Sequence, residues 1–241
     1  MKYFITDGTP EAFFTAVFDA YNERECFITS SAQVQLSLDG EVVNVIADGN
    51  KCERVINGIL KYDKFAKQDV LLVLRSCDTK KEQVAFAYIK AIMHYKSPIG
   101  KRLSLPEVIA FNDLSYKITG ETHRLKGLLR FMEASNGVLY APYSPDNNIT
   151  DLLMRHFAER LKNQKFIIHD VKRKLAGLYN GNEWLLGYAN EAEICLSENE
   201  KAFESLWKKY YKAINIKERP HEKQMKGSMP VRYWKFLPEK N

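Results

Sequence analysis

The stretch Glu121–Phe131, E-T-H-R-L-K-G-L-L-R-F, sets His123, Arg124, Lys126 and Arg130 among Leu125, Leu128, Leu129 and Phe131. Cations spaced through so apolar a segment either solubilise an amphipathic element or face a negatively charged partner. Read at period two, His123, Leu125, Gly127, Leu129 and Phe131 share one side, and Arg124, Lys126, Leu128 and Arg130 the other. That alternation predicts a half-buried strand. Its cations recur roughly every 6.6 Å, two strand rises, a spacing able to follow a phosphodiester backbone, where arginine adds bidentate contacts. His123 falls on the apolar side and is expected to be a hydrogen-bonded core histidine.

Other segments add to the basic set. The tail M-P-V-R-Y-W-K-F-L-P-E interleaves Arg232 and Lys235 with Tyr233, Trp234 and Phe236. Aromatics that stack on bases beside cations that hold phosphates make a single-strand platform, unless the rings anchor the C-terminus. His156 lies on a helical pattern with Arg155, Glu159 and Arg160; its i+4 neighbour is Arg160, so a helical metal pair is absent. In H-D-V-K-R, His169 and Asp170 point to opposite faces of a strand, and Asp170 is expected to pair with an arginine. The nucleic-acid-binding candidates are therefore Arg124, Lys126, Arg130, Arg160, Arg173 and Arg232 for phosphates, with Tyr233 or Trp234 stacking on a base.

The rival reading is an enzyme acting on DNA or a nucleotide. Its acid–base candidates are His123, Glu121, His156 and Asp170, with chemistry that is either purely His/carboxylate or metal-assisted if Glu121, Asp146, Asp151 and Asp170 meet in space. No P-loop, nucleophile elbow, H-E-x-x-H or glycine-rich dinucleotide turn occurs. No metal or cofactor is expected.

Bulk properties bound these readings. The 241 residues, 45% hydrophobic, suffice for one large domain or two small ones. No apolar run is long enough for a membrane helix, and M-K-Y-F-I-T-D-G turns polar too early for a signal peptide, so a cytoplasmic protein without a membrane partner is expected. Cys26, Cys52, Cys77 and Cys195 are scattered without zinc or disulfide spacing and read as buried free thiols. Residues 1–117 hold 15 basic and 15 acidic side chains, whereas residues 118–241 hold 21 and 15, and residues 201–241 alone 11 and 4. Such asymmetry points to a polyanionic partner, nucleic acid before membrane.

The elements that position these residues follow from spacing. A first strand, K-Y-F-I-T-D, leads to a helix capped by Thr9 with Pro10 at its first position. V-Q-L-S-L-D-G-E-V-V-N-V-I reads as a hairpin turned at Asp39-Gly40. Helical patterns follow at 49–62, 67–76 and 80–95, then from Pro106 towards Thr122. V-L-Y-A-P, F-I-I-H-D, K-L-A-G-L-Y and E-W-L-L-G-Y-A read as strands, the last two turned at Asn180-Gly181. A helix reaches from 150 to about 162, and another from 198 to 214 carries Phe203, Leu206, Trp207, Tyr210, Ala213 and Ile214 as its core face. The last 25 residues read as irregular. The class is α+β, helices with mainly antiparallel short strands and no Rossmann-type alternation. The expected division is 1–80 and 81–241, with its seam at Cys77–Glu82, or one continuous body.

The same segments carry a resemblance. E-T-H-R-L-K-G-L-L-R-F, V-L-Y-A-P-Y-S-P-D-N-N-I, L-L-M-R-H-F-A-E-R-L, F-I-I-H-D-V-K-R, L-W-K-K-Y-Y-K-A-I-N-I-K-E-R and Q-M-K-G-S-M-P-V-R-Y-W-K-F-L-P-E occur here in the order of an uncharacterised bacterial family labelled as DNA-metabolism or DNA-repair proteins. From about residue 80 to the C-terminus the chain resembles that family. The resemblance implies a domain that occurs alone, beside a radical-SAM protein, or fused ahead of a uracil-DNA-glycosylase-like module; no such module is expected in this polypeptide. It implies a DNA-repair or DNA-modification accessory protein that binds DNA and works with a separate radical-SAM partner.

Overall fold

The computed structural model describes residues 1–31, 40–189, 195–214 and 222–240. They form two compact units, Met1–Thr119 and Gly120–Asn241. The architecture is α+β: helices with a three-stranded and a five-stranded sheet of short strands.

In the first unit β1 (Lys2–Ile5) leads into α1 (Pro10–Ala20). Thr9 caps that helix, its hydroxyl accepting from Ala12 N at 3.3 Å, and Pro10 sits where its missing N–H is not needed. β2 (Cys26–Thr29) and β3 (Glu41–Asn44) flank β1, both parallel to it, so that Phe4 lies opposite Ile28 and Val43. The four-residue strand β2 went unread in the sequence; C-F-I-T is too short to show a period. The residues expected to form the first arm of a hairpin with β3, 34–39, lie outside the described residues. α2 (Gly49–Leu60), α3 (Ala66–Val73) and α4 (Lys81–Tyr95) follow the predicted spacing. Phe13, Phe14, Ile28, Ile59, Val70 and Ile89 are the centre of the core they enclose. The stretch Cys77–Glu82, read as a seam, lies inside this unit. There Glu82, buried at the start of α4, accepts from Ser30 Oγ at 2.5 Å.

α5 (Pro106–Leu128) corrects the strand expected over 123–131. Leu114, Ile118, Thr122, Leu125 and Leu129 are all buried and recur every three or four residues, the spacing of one helix face. Leu125 and Leu129 satisfy a two-residue and a four-residue repeat equally well. Continuity with Leu114 and Ile118 decides for the helix. His123, expected in the core, is exposed, because residues two apart on a helix lie on nearly opposite sides.

In the second unit the sheet runs β4 (Met132–Glu133), β5 (Leu139–Tyr143), β6 (Phe166–Asp170), β7 (Leu175–Tyr179), β8 (Trp184–Tyr188). β5 and β6 are parallel, joined through α6 (Thr150–Arg160), and the other neighbours are antiparallel. α6 approaches β7 so closely that a Cβ on Gly177 would collide with Sδ and Cγ of Met154. Phe166 meets Phe131 and Tyr179, with ring centroids 5.7 and 5.0 Å away.

α7 (Glu198–Ile214) has the predicted bounds but not the predicted burial. Phe203, Leu206 and Tyr210 are 62%, 61% and 54% exposed. The helix meets its own unit along a narrow side carrying Glu200, Trp207 and Tyr211: Glu200 accepts from Glu133 N at 2.9 Å, and Trp207 Nε1 donates to Glu239 at 2.8 Å. The tail, expected to be irregular, holds α8 (Glu222–Ser228) and 3₁₀ turns at Val231–Phe236 and Pro238–Lys240. The four cysteines are thiols rather than disulfide partners; Cys52 is buried and Cys26 partly so, while Cys77 and Cys195, also expected inside, are exposed. Among the described residues no helix is long and apolar enough to cross a membrane.

Candidate functional site

The loop between β5 and α6, Ser144–Ile149, must hold its backbone N–H groups inside the unit, where an unpaired donor is costly. Glu121 of α5, only 1% exposed, supplies the acceptors. Its Oε1 takes Asp146 N at 2.8 Å, and its Oε2 takes Asn147 N at 2.9 Å and Asn147 Nδ2 at 2.7 Å. Tyr233, from the 3₁₀ turn Val231–Phe236, donates its hydroxyl to Oε1 at 2.5 Å. Arg232 Nη2 lies 3.8 Å from the same oxygen, 3.0 Å from Asp146 Oδ2 and 3.1 Å from the Tyr233 hydroxyl. Burial pushes the Glu121 carboxyl up, but the hydrogen bonds from Tyr233, Asp146 and Asn147 outweigh it and hold the carboxyl below its ordinary range. The same contacts act oppositely on Tyr233: burial first, then the Glu121 carboxylate, raise its hydroxyl.

A second ion pair grips the loop from the end of β6. Asp170, fully buried, accepts from Lys172 N at 3.1 Å, Arg173 N at 3.2 Å and Arg173 Nη1 at 2.8 Å. Arg173 then donates onward to Pro145 O at 3.2 Å and to Asp146 O. Two buried carboxylates and two arginines thus clamp three loop residues, each charge paired as burial requires. At the surface the hub shows the Arg232 guanidinium and the Asp146 carboxylate, 45% and 43% exposed.

A third connection joins the end of α5 to the tail. Arg130 Nη2 donates to Glu239 Oε1 at 3.0 Å and lies 4.6 Å over the Trp207 ring, whose Nε1 donates to the other Glu239 oxygen at 2.8 Å. Lys240 covers the rings of Tyr211 and Trp234 at 4.9 and 5.0 Å.

The chemistry-bearing blocks of the sequence therefore fold onto one another. Residues 79–239 match the family DUF4130, described as a domain of unknown function. The chain belongs to the DUF4130 family. No curated protein and no solved structure matches it. Every residue of the hub lies within the DUF4130 stretch, as do Arg130, Trp207 and Glu239.

Within the DUF4130 domain the expected site residues separate into groups. Glu121, Asp170, Arg173, Arg232 and Tyr233 meet around the β5–α6 loop. Tyr233 is 2% exposed, with its hydroxyl turned inward to Glu121. Trp234 is partly buried and donates to Met229 O at 2.9 Å, and Arg130 is held by Glu239. Lys126 and Arg160 both act on His156: burial first, then these two cations, lower its pKa against the pull of Glu159. Arg124 is half-buried, its Nε enclosed and, among the described residues, without a hydrogen-bond partner. His123 faces solvent. Glu121 and Asp170 spend their acceptors on N–H groups and arginines, and among the described residues no three His, Cys, Asp or Glu side chains are placed to hold a metal.

Sequence reasoning passed over Asn147 and Glu239, and gave Asp146 only a metal-binding option, although S-P-D-N-N and L-P-E stand in the quoted blocks. Lys201, Lys208, Lys209 and Lys212 of α7 were expected to face solvent or phosphate. These four line one groove with Glu204 and Ser205; Lys208 pairs with Glu204 at 2.8 Å, and the other three lysines are exposed.

Proposed function

We propose that this DUF4130 chain is a cytoplasmic nucleic-acid-binding accessory protein of DNA repair or DNA modification, acting beside a separate radical-SAM partner. The resemblance of its motif blocks to the DNA-repair-labelled bacterial family supplies the biological setting. The observation that carries the binding itself is the lysine groove of α7, where Lys201, Lys208, Lys209 and Lys212 succeed one another over three turns. Such a row follows a phosphate backbone as well as the strand once expected at 123–131, and it replaces Arg130, Arg173 and Arg232, whose guanidinium groups serve Glu239, Asp170 and Asp146. Lys126 and Arg160, which both act on His156, are the remaining pair from the original set able to meet phosphate.

The test is a salt series of fluorescence-anisotropy titrations with labelled single- and double-stranded oligonucleotides. Affinity is expected to fall linearly in log–log form with salt, and the Lys201→Glu/Lys209→Glu/Lys212→Glu chain to lose about two to three units of slope. Absence of binding at low ionic strength, or a slope untouched by the three reversals, overturns the reading.

A further inference from the structure

The first unit contains an open cavity of about 750 Å³ bounded by the turn before α3, α3 itself, α4 and the Pro98–Lys101 segment. Its inner wall is acidic. Asp63 is 8% exposed, with Oδ1 engaged by Phe65 N at 3.0 Å. Asp69, one turn into α3, is half-buried and lines the same cavity as Asp63; burial first, then the Asp63 charge, raises its pKa. Among the described residues neither carboxylate has a cationic partner within ion-pair distance.

Tyr88 is the independent observation. It is 2% exposed, its ring stacked on Phe111 with centroids 3.8 Å apart and planes 10° from parallel. Its hydroxyl reaches the cavity wall at Gly100, where a Cβ would stand 3.3 Å from the oxygen. Burial, then Asp63 and Asp69, push that hydroxyl up to about 12, and among the described residues it has no hydrogen-bond partner. A buried tyrosine normally finds one.

The inner wall therefore offers two carboxylate acceptors and one hydroxyl that can donate or accept. The mouth has the opposite character: Lys61, Lys64 and Lys101 are exposed around it, and Phe65, 56% exposed, presents a ring with Lys64 Nζ 4.9 Å from its centroid. A ligand matching this order carries amino donors at its inner end, a flat ring beside Phe65 and an anion outermost. An amino acid offers ammonium and carboxylate but leaves the ring and most of the volume unused. We propose that this cavity binds a nucleotide whose base bears an exocyclic amine, an adenosine or cytidine phosphate, with the amine donating to Asp63 and Asp69 and the phosphate held by Lys61, Lys64 and Lys101. Carboxylates accept from such amines in the way they read cytosine N4. The inference stands on the first unit alone and does not rest on the lysine groove of α7.

Isothermal titration of the full chain with AMP, CMP, UMP and adenosine tests it. Saturable binding of AMP or CMP is expected, with UMP, which lacks the amine, and adenosine, which lacks the phosphate, each weaker by about tenfold or more. Asp69→Asn should weaken AMP by a similar factor and Tyr88→Phe by less, with thermal melts confirming that both chains fold. If Asp69→Asn does not fold, the exposed Lys101→Ala takes its place and should weaken AMP while leaving adenosine unchanged. No saturable binding of AMP or CMP at millimolar concentration, equal binding of UMP, or an AMP affinity unaltered by these variants overturns the proposal. So does binding of spermidine or glycine in place of the nucleotides.

Discussion

Tyr233 donates its hydroxyl to Glu121 at 2.5 Å across 112 residues of chain. The bond links the E-T-H-R-L-K-G block to the M-P-V-R-Y-W-K-F block, and through Glu121 both reach the Asp146–Asn147 backbone. Tyr233→Phe keeps the ring and removes the donor. It is expected to lower unfolding free energy by about 1–3 kcal/mol, since a buried carboxylate loses a hydrogen bond. Urea denaturation checks this; an unchanged midpoint would show that the Asp146 and Asn147 donors, with Arg232 nearby, suffice.

Acid sensitivity follows from Glu121 and Glu239. In both, burial raises the carboxyl and hydrogen bonds outweigh it: those from Tyr233, Asp146 and Asn147 for Glu121, and those from its own backbone, Trp207 and Arg130 for Glu239. Both folded values lie below the ordinary 4.5. A carboxyl depressed by folding contributes stability that is complete above its unfolded value and is lost as pH falls through the folded one. Denaturation midpoints should therefore be insensitive to these two groups near neutrality and should decline below about pH 4.5. In Glu121→Gln/Glu239→Gln the neutral midpoint drops and the acid decline becomes shallower.

His156 gives a local readout of the Lys126–Arg160 pair. Burial leads the lowering of its pKa and the two cations add to it. Lys126→Ala/Arg160→Ala should move the His156 titration upward in an NMR pH series. An unmoved titration would mean that the cations are screened from the ring.

Gly177 and Met154 supply a packing test. A methyl at Gly177 meets Met154 Sδ and Cγ, so Gly177→Ala should cost about 1–3 kcal/mol as overpacking. Adding Met154→Ala should recover part of that loss, a coupling seen only when the residues touch.

α7 sorts its residues by what they touch rather than by hydrophobicity. Phe203→Ser and Leu206→Ser, both at exposed positions, are expected to change stability by about 0.5 kcal/mol or less. Trp207→Ala should cost about 3 kcal/mol, because it removes a donor from Glu239 and a ring from beneath Arg130. Thermal melts of the three chains make the comparison.

These cases show how far the sequence could be read. Helices and strands with an uninterrupted period, such as Gly49–Leu60 and the Leu175–Tyr188 hairpin, announce themselves, as does the Thr9–Pro10 start of α1. The segment 123–131 did not, because Leu125 and Leu129 obey two periods at once and only the preceding turns break the tie. The hub was out of reach for a different reason. Glu121, Asp146, Asp170 and Arg232 come from a helix, a loop, a strand end and a 3₁₀ turn, and polar groups that satisfy one another across such distances leave no repeat in the chain. Amphipathicity of α7 was visible, but a hydrophobic stripe does not say whether anything covers it.

The pairing of Arg130 with Glu239 and of Glu121 with Tyr233 bears on how DUF4130 sequences can be recombined. A chimaera that exchanges the last dozen residues with those of a relative inherits half of each connection, and its orphaned charge must be matched by the recipient's own helix. The end of α5 and the last turns of the matched stretch are thus heritable as a set: engineers grafting one should carry the other along.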